Sequence, residues 1–293
     1  MGRFPEIRLY AKHGALVLRD GLSICFYMRR SHQEVAQSVR RALDAYLRAV
    51  GPRALNWYVD QEGDWQELDE QGWELIQDKL HESGGGIVRL RERPDAVSRY
   101  LFEYRGRRLE GSNEGLISGV AFWLPTEYLE KHGPDRLREL ALELGNELPF
   151  NSGHAGLAFH FLHTPPEFQQ LALRHPGMDV LRLGLVTEEL GTRVRGPHWM
   201  TFLGQPVLGE LGGVAGLRAR LSSPDITVQE MEGTRAVITL GTWPEAGDTE
   251  QGQEPPLYRE LARVLEPWLY QAPPTQDSVA DADLRRWERR FLD

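Results

Sequence analysis

His154, His160 and His163 crowd one short segment beside Ser152, and Cys25 is the only cysteine of the chain. Imidazole, hydroxyl and thiol are groups that ligate metals or attack electrophilic carbon, so these positions are the first to test for chemistry. Their spacing speaks against a metal centre. Residues 155–162 pattern as a strand, in which side chains alternate between two faces. His160 and His163 then point to opposite sides. His154 and His160 share a face but stand roughly 20 Å apart, too far for one ion. No two histidines flank a glutamate at the spacing of a zinc-protease helix.

The nucleophile patterns fail as well. Asn151-Ser152-Gly153-His154 follows Phe150, where a nucleophile elbow needs glycine, and reads as a turn after a helix. Cys25 lies in the apolar run 22–27 and reads as a buried structural thiol. Gly84-Gly85-Gly86 and Gly212-Gly213 lack the lysine and the strand-loop-helix order of a phosphate loop. No catalytic, cofactor-binding or metal-binding residue is therefore assigned. The alternative that stays open is an enzyme of unrecognised class with a site near Ser152, His154 and His160.

An acidic run carries more information. Asp60, Glu62, Asp64, Glu67, Asp69, Glu70, Glu74 and Asp78 lie between Arg53 and Lys79 with no basic residue among them. Trp57, Tyr58, Trp65 and Trp73 are interleaved. The plain reading is a solvated loop and helix face with its aromatics in the core. The functional reading is a docking surface formed by Trp57, Asp60, Glu62, Asp64, Trp65, Glu67, Asp69 and Glu70. There aromatics would anchor a basic partner and carboxylates would steer it. A nuclease is such a partner, because its groove must attract phosphates.

The elements that position these residues alternate. Strands are expected at residues 7–10 and 15–27, the second broken at Asp20-Gly21. Ser31 with Glu34 forms a capping box before a helix whose face carries Val35, Val39, Leu43, Tyr46 and Leu47. A strand over 55–59, a helix capped by Asp69 and a strand over 87–90 follow. Further strands are expected at 100–104, 116–124 and 155–162, with a helix over 126–147. The last third reads as a strand at 180–186, a helix at 207–219, a ribbon at 226–230 and 236–240, and a helix at 257–269. The loop 244–256 is expected to be exposed. Leu284, Trp287, Phe291 and Leu292 beside four arginines make an amphipathic terminal helix after Pro273-Pro274, expected to dock on the body.

The fold class is therefore α+β, with mixed, mostly antiparallel sheets and packed helices. The order strand-strand-helix-strand occurs twice, near 7–60 and 100–162, as a pseudo-repeat. The charged segment 91–97 is the best linker, which divides the chain into 1–93, 94–272 and the tail 273–293, or leaves one continuous domain. The net charge of −9 argues against nonspecific binding to nucleic acid or anionic lipid and favours a basic partner or simple solubility. No signal-peptide core or membrane span is visible, and a chain this sparse in thiols fits the cytosol.

Several blocks resemble the type VI immunity family, TsiV-like proteins once known only as a bacterial domain of unknown function. They are Phe122-Trp123-Leu124-Pro125, Leu148-Pro149, Ser152 to Gly156, Gly196 to Gly204 with Leu211-Gly212-Gly213, Gly241 to Pro244, Gly247-Asp248, and Tyr258 to Leu265. The resemblance covers roughly residues 15–270, and its motifs look structural. It implies a cytoplasmic immunity protein that binds and neutralises a cognate antibacterial toxin, expected to be a nuclease with a basic surface, without cofactor or chemistry of its own. A non-neutralising effector adaptor is the other non-enzymatic reading.

Overall fold

One long strand organises the molecule. The computed structural model describes residues 4–109, 113–165, 167–272 and 278–293. In chain order come β1 (Arg8–Tyr10), β2 (Leu16–Met28), α1 (His32–Val50), β3 (Trp57–Val59), β4 (Trp65–Glu67), α2 (Glu70–His81), β5 (Gly86–Arg91) and β6 (Leu101–Gly106). Then follow β7 (Ser118–Pro125), α3 (Thr126–Glu147), β8 (Ser152–Phe161), α4 (Phe168–Arg174), α5 (Leu183–Glu189) and β9 (Met200–Leu203). The chain continues through α6 (Val207–Glu210), α7 (Gly213–Arg220), β10 (Ile226–Met231), β11 (Arg235–Leu240), α8 (Pro256–Leu265) and α9 (Ser278–Glu288). The strands form one 11-stranded sheet in the order β10-β11-β9-β8-β2-β7-β6-β5-β3-β4, with β1 also on β2, and every ladder is antiparallel. The α+β reading holds.

The pleat sorts β2 into two faces. Leu18, Leu22, Ile24, Phe26 and Met28 join Val120, Phe122 and Leu124 of β7 and Ala155, Leu157 and Phe159 of β8 in the main core. Helices α1 and α3 cover that face through Val35, Val39, Leu43, Leu129, Leu137 and Leu140, each buried. Removing such side chains from water contributes about 1.5–3 kcal/mol each. Cys25, Tyr27, Ala121 and Trp123 face the other way, into a smaller core closed by Leu183, Val186 and Leu190.

The capping box is present: the Ser31 N–H donates to the Glu34 carboxylate at 2.7 Å. Asp69 caps α2 by accepting the Gly72 N–H at 2.8 Å. The pseudo-repeat appears as element order, β1-β2-α1-β3 and β6-β7-α3-β8. The two crossovers differ in span: only β2 separates β7 from β8, whereas β7, β6 and β5 separate β2 from β3.

Several expectations are corrected. β2 runs unbroken through Asp20-Gly21. Asp20 is buried and held there by the Ile7 N–H, Thr126 and Arg8, while Gly21 leaves room for the His160 ring. Residues 183–189 are helix rather than strand. β9 takes the outer edge of β8 only over Ser152 to Ala155; beyond it the segment makes one isolated parallel bridge, Ala158 to Asp179, and then coils to bury Leu183, Val186 and Leu190. The helix expected at 207–219 is two, separated where Gly212 and Gly213 take positive φ. The loop 244–256 is only partly exposed: Pro244, Ala246 and Asp248 are buried. Trp287 and Phe291 pack the terminal segment on the main core, with Phe291 5.4 Å from Tyr258 between ring centres. The break expected at Pro273-Pro274 lies outside the described residues.

Candidate functional site

The acidic run builds the far edge of the sheet. β3 and β4 pair as a hairpin, Trp57 opposite Glu67 and Val59 opposite Trp65, and β4 is the edge strand. Asp60 organises the tip. One of its carboxylate oxygens accepts the N–H groups of Glu62 and Asp64, both at 2.9 Å, and the other accepts the Gln66 side-chain amide at 2.9 Å. These donors, Gln66 first, hold the Asp60 carboxyl below its usual range. Glu62, Asp64, Glu67, Asp69 and Glu70 are exposed around it. A turn closed from within by one carboxylate thus presents the others outward.

The tryptophans are less exposed than the carboxylates around them. Trp57 and Trp65 are half-buried. The Trp65 ring reaches back over the sheet to Arg91, 4.0 Å from ring centre to guanidinium, and to Arg89 at 5.6 Å. Burial, with Arg89 beside it, brings Arg91 down to about 10. Cation–π contact therefore fixes the hairpin to β5, and the carboxylates, more than the rings, face outward.

Ser152, His154 and His160 lie on one face of β8, as alternation requires, but they do not converge. The Ser152 hydroxyl donates to the Arg193 carbonyl at 3.0 Å. His160 bonds the Leu22 carbonyl through Nε2 at 3.0 Å, and burial lowers it to about 4. His154 belongs to a buried network that the sequence did not disclose. Its Nε2 lies 3.1 Å from Asp179, which also pairs with Arg195 at 3.0 Å and lies 3.5 Å from His198. Burial first, then the neighbouring His198, lowers His154 to about 3. Burial alone would raise Asp179, yet Arg195 and His154 hold it well below the carboxylate range.

Two groups among the described residues bring three ligand atoms within 4.8 Å: His154, Asp179 and His198, and the exposed Asp60, Glu62 and Asp64. In the first, the histidine rings are stacked, 3.9 Å between centres and 15° between planes. An ion shared by both nitrogens would lie out of both ring planes, away from the lone pairs, and Arg195 already occupies the carboxylate. The chemistry of this cluster is charge pairing inside the fold. Its members come from β8, the loop before α5 and the segment before β9. The visible sign in the sequence was Gly196-Pro197-His198, read there only as part of a structural block.

Gly247-Asp248, one of the blocks named above, also holds structure together. Asp248 accepts two bonds from Arg174, at 3.0 and 2.8 Å, and caps a short turn through the Glu250 N–H. Gly247 sits at φ 68° and bonds His175 through its carbonyl.

With this geometry in place, comparison with known proteins decides the family. The family model described as type VI immunity for VRR-NUC, TsiV, matches residues 38–291. The chain belongs to this family. A solved structure, the Pseudomonas aeruginosa T6SS protein PA0821, has the same fold, with a TM-score of 0.82 at 21% identity over 98% of this chain and 87% of that one. No curated protein matches. The family's name marks it as one of type VI immunity proteins directed at VRR-NUC nuclease toxins. Among the described residues, no helix is long and apolar enough to cross a membrane.

Proposed function

We propose that this TsiV-family protein neutralises a VRR-NUC nuclease toxin by stoichiometric binding in the cytoplasm, without chemistry of its own. The observation that carries the reading is the family match, which runs from the middle of α1 to the last turn of the chain. The net charge of −9 and the outward carboxylates of the β3–β4 hairpin support a basic-surfaced partner. A nuclease groove that attracts phosphates presents such a surface, and complementary charge raises the rate of encounter. The proposed contact comprises Trp57, Asp60, Glu62, Asp64, Trp65, Glu67, Asp69 and Glu70, with Asp60 shaping the tip and its neighbours steering.

Co-expression tests this. A VRR-NUC toxin encoded beside this chain is expressed in a naive host with and without it, and survival and complex formation are measured. Rescue with a one-to-one complex is expected. A complex without rescue would make the protein an adaptor. Neither would overturn the reading and return the region of Ser152, His154 and His160 to scrutiny as an enzyme site.

A further inference from the structure

A second surface lies away from the hairpin. The N-terminal segment, the first turns of α3 and the loop 241–254 enclose a cleft of about 1080 Å³. Its wall includes Phe4 and Trp243, ring centres 5.9 Å apart. The Asp248–Arg174 bonds brace the loop on one side.

The charge in this cleft is unbalanced. Asp20 pairs with Arg8, Glu127 with Arg19, Asp248 with Arg174 and Glu254 with Arg259. Glu6, Glu130, Asp225 and Glu245 also line it, are exposed, and make no ion pair among the described residues. One further group points to a ligand. His175 lines the cleft while only 5% exposed. Its Nδ1 bonds the Gly247 carbonyl at 2.7 Å, so Nδ1 carries the proton and donates. Nε2 is left as an acceptor, with no hydrogen-bond partner among the described residues. An imidazole acceptor beside carboxylates that outnumber the cleft's cations suits guanidinium and ammonium groups.

We propose that this cleft seats an arginine- or lysine-rich segment of the partner nuclease, as a contact separate from the β3–β4 hairpin. The identity of the partner rests on the immunity reading; the cation-binding chemistry does not. In this arrangement Glu6, Glu130, Asp225 and Glu245 receive the basic heads. His175 Nε2 accepts one N–H. The 241–254 block then serves to build a wall rather than to react.

The test uses the full chain and an octa-arginine peptide, with octa-glutamate as control, by calorimetry at physiological salt. The triple variant Glu130→Gln, Asp225→Asn, Glu245→Gln is compared with the hairpin variant Glu62→Gln, Asp64→Asn, Glu70→Gln, which removes the same charge. The cleft variant is expected to bind octa-arginine about tenfold or more weakly, and the hairpin variant within about twofold of the parent. His175→Asn keeps a donor to Gly247 and removes the acceptor at the Nε2 position, so it should weaken binding several-fold at unchanged melting temperature. Equal losses in both triple variants, or no binding by the parent, overturn the proposal. So does a cleft variant that loses octa-arginine yet protects fully against the toxin. If the parent itself fails to protect, the immunity reading falls, whatever the peptide shows.

Discussion

Asp179 and Arg195 form an ion pair sealed inside the protein, Oδ1 to Nη2 3.0 Å, with their side chains 0% and 9% exposed. A buried pair is weak evidence of net stability, because desolvation offsets attraction, but removing one partner strands the other in low dielectric. Asp179→Asn leaves Arg195 with the Val180 carbonyl and no counter-charge, and weakens the bond to His154. The expected cost is about 3–5 kcal/mol of unfolding free energy, read by denaturant titration. A loss below about 1 kcal/mol would show that Arg195 reaches water in the native state.

The same region makes stability depend on pH. Burial lowers His154 to about 3 and His160 to about 4. In the unfolded chain both titrate near 6.5. Above that value neither state binds the protons and the histidines are silent. As pH falls from about 6.5 towards 4, the unfolded chain takes up two protons that the native one refuses. Stability then drops by about 1.4 kcal/mol per pH unit for each histidine. The melting temperature should therefore fall steeply between pH 6.5 and 4, and His160→Gln should roughly halve the slope contributed by this pair. A flat profile over that window would contradict the assignment.

How far the chain could be read from its letters depends on whether a feature is local. The α1 stripe Val35, Val39, Leu43 and Tyr46, its capping box and the Asp69 cap involve residues three or four apart, and they are as expected. The run 180–186 is apolar in either helix or strand, and what decides is the burial of Leu183, Val186 and Leu190 in the smaller core, a tertiary fact. The acidic hairpin was visible as composition. The lock of Trp65 onto Arg91 was not, because β3 brings β4 and β5 together across a long stretch of chain. Asp179 drew no attention at all, since its partners His154, Arg195 and His198 belong to separate segments.

Gly21 is where β2 makes room for a neighbour. A Cβ there would stand 2.4 Å from Cε1 and Nε2 of the His160 ring, opposite Ala158 in the β8 ladder. Gly21→Ala should cost about 1–3 kcal/mol through overpacking. The double variant Gly21→Ala, His160→Ala should lose less than the two single losses summed, because the clash and its cause disappear together. Strict additivity in denaturation would show that the ring turns aside freely.

Asp248 holds the loop 244–254 to α4. It accepts both Arg174 bonds and closes its own turn, while the Glu245 carbonyl packs so close to Gly177 that a Cβ there would collide with it. Asp248→Ala should raise amide exchange across residues 247–253 while leaving β2 and β8 protected, since only the loop loses its fixing points. Unchanged exchange in the loop would mean that the buried Ala246 and the bond from the Glu245 N–H to the Tyr258 hydroxyl, at 3.4 Å, suffice to hold it.

The hairpin prediction concerns rate. Asp64, Glu67 and Glu70 are exposed, outside the bonds that Asp60 makes within the turn, so replacing them leaves the tip intact. Exposed carboxylates act on an approaching cation at a distance of about a Debye length, roughly 8 Å at physiological salt. Their effect should therefore appear in association more than in dissociation. Asp64→Lys, Glu67→Lys, Glu70→Lys should slow association with the cognate nuclease about tenfold or more at low salt, with a smaller effect at high salt. Dissociation should change less. Asp60→Ala should act differently: it frees three donors, loosens the tip and raises dissociation as well. Unchanged association kinetics in the triple lysine variant would remove the hairpin from the interface and leave the cleft near His175 to carry it.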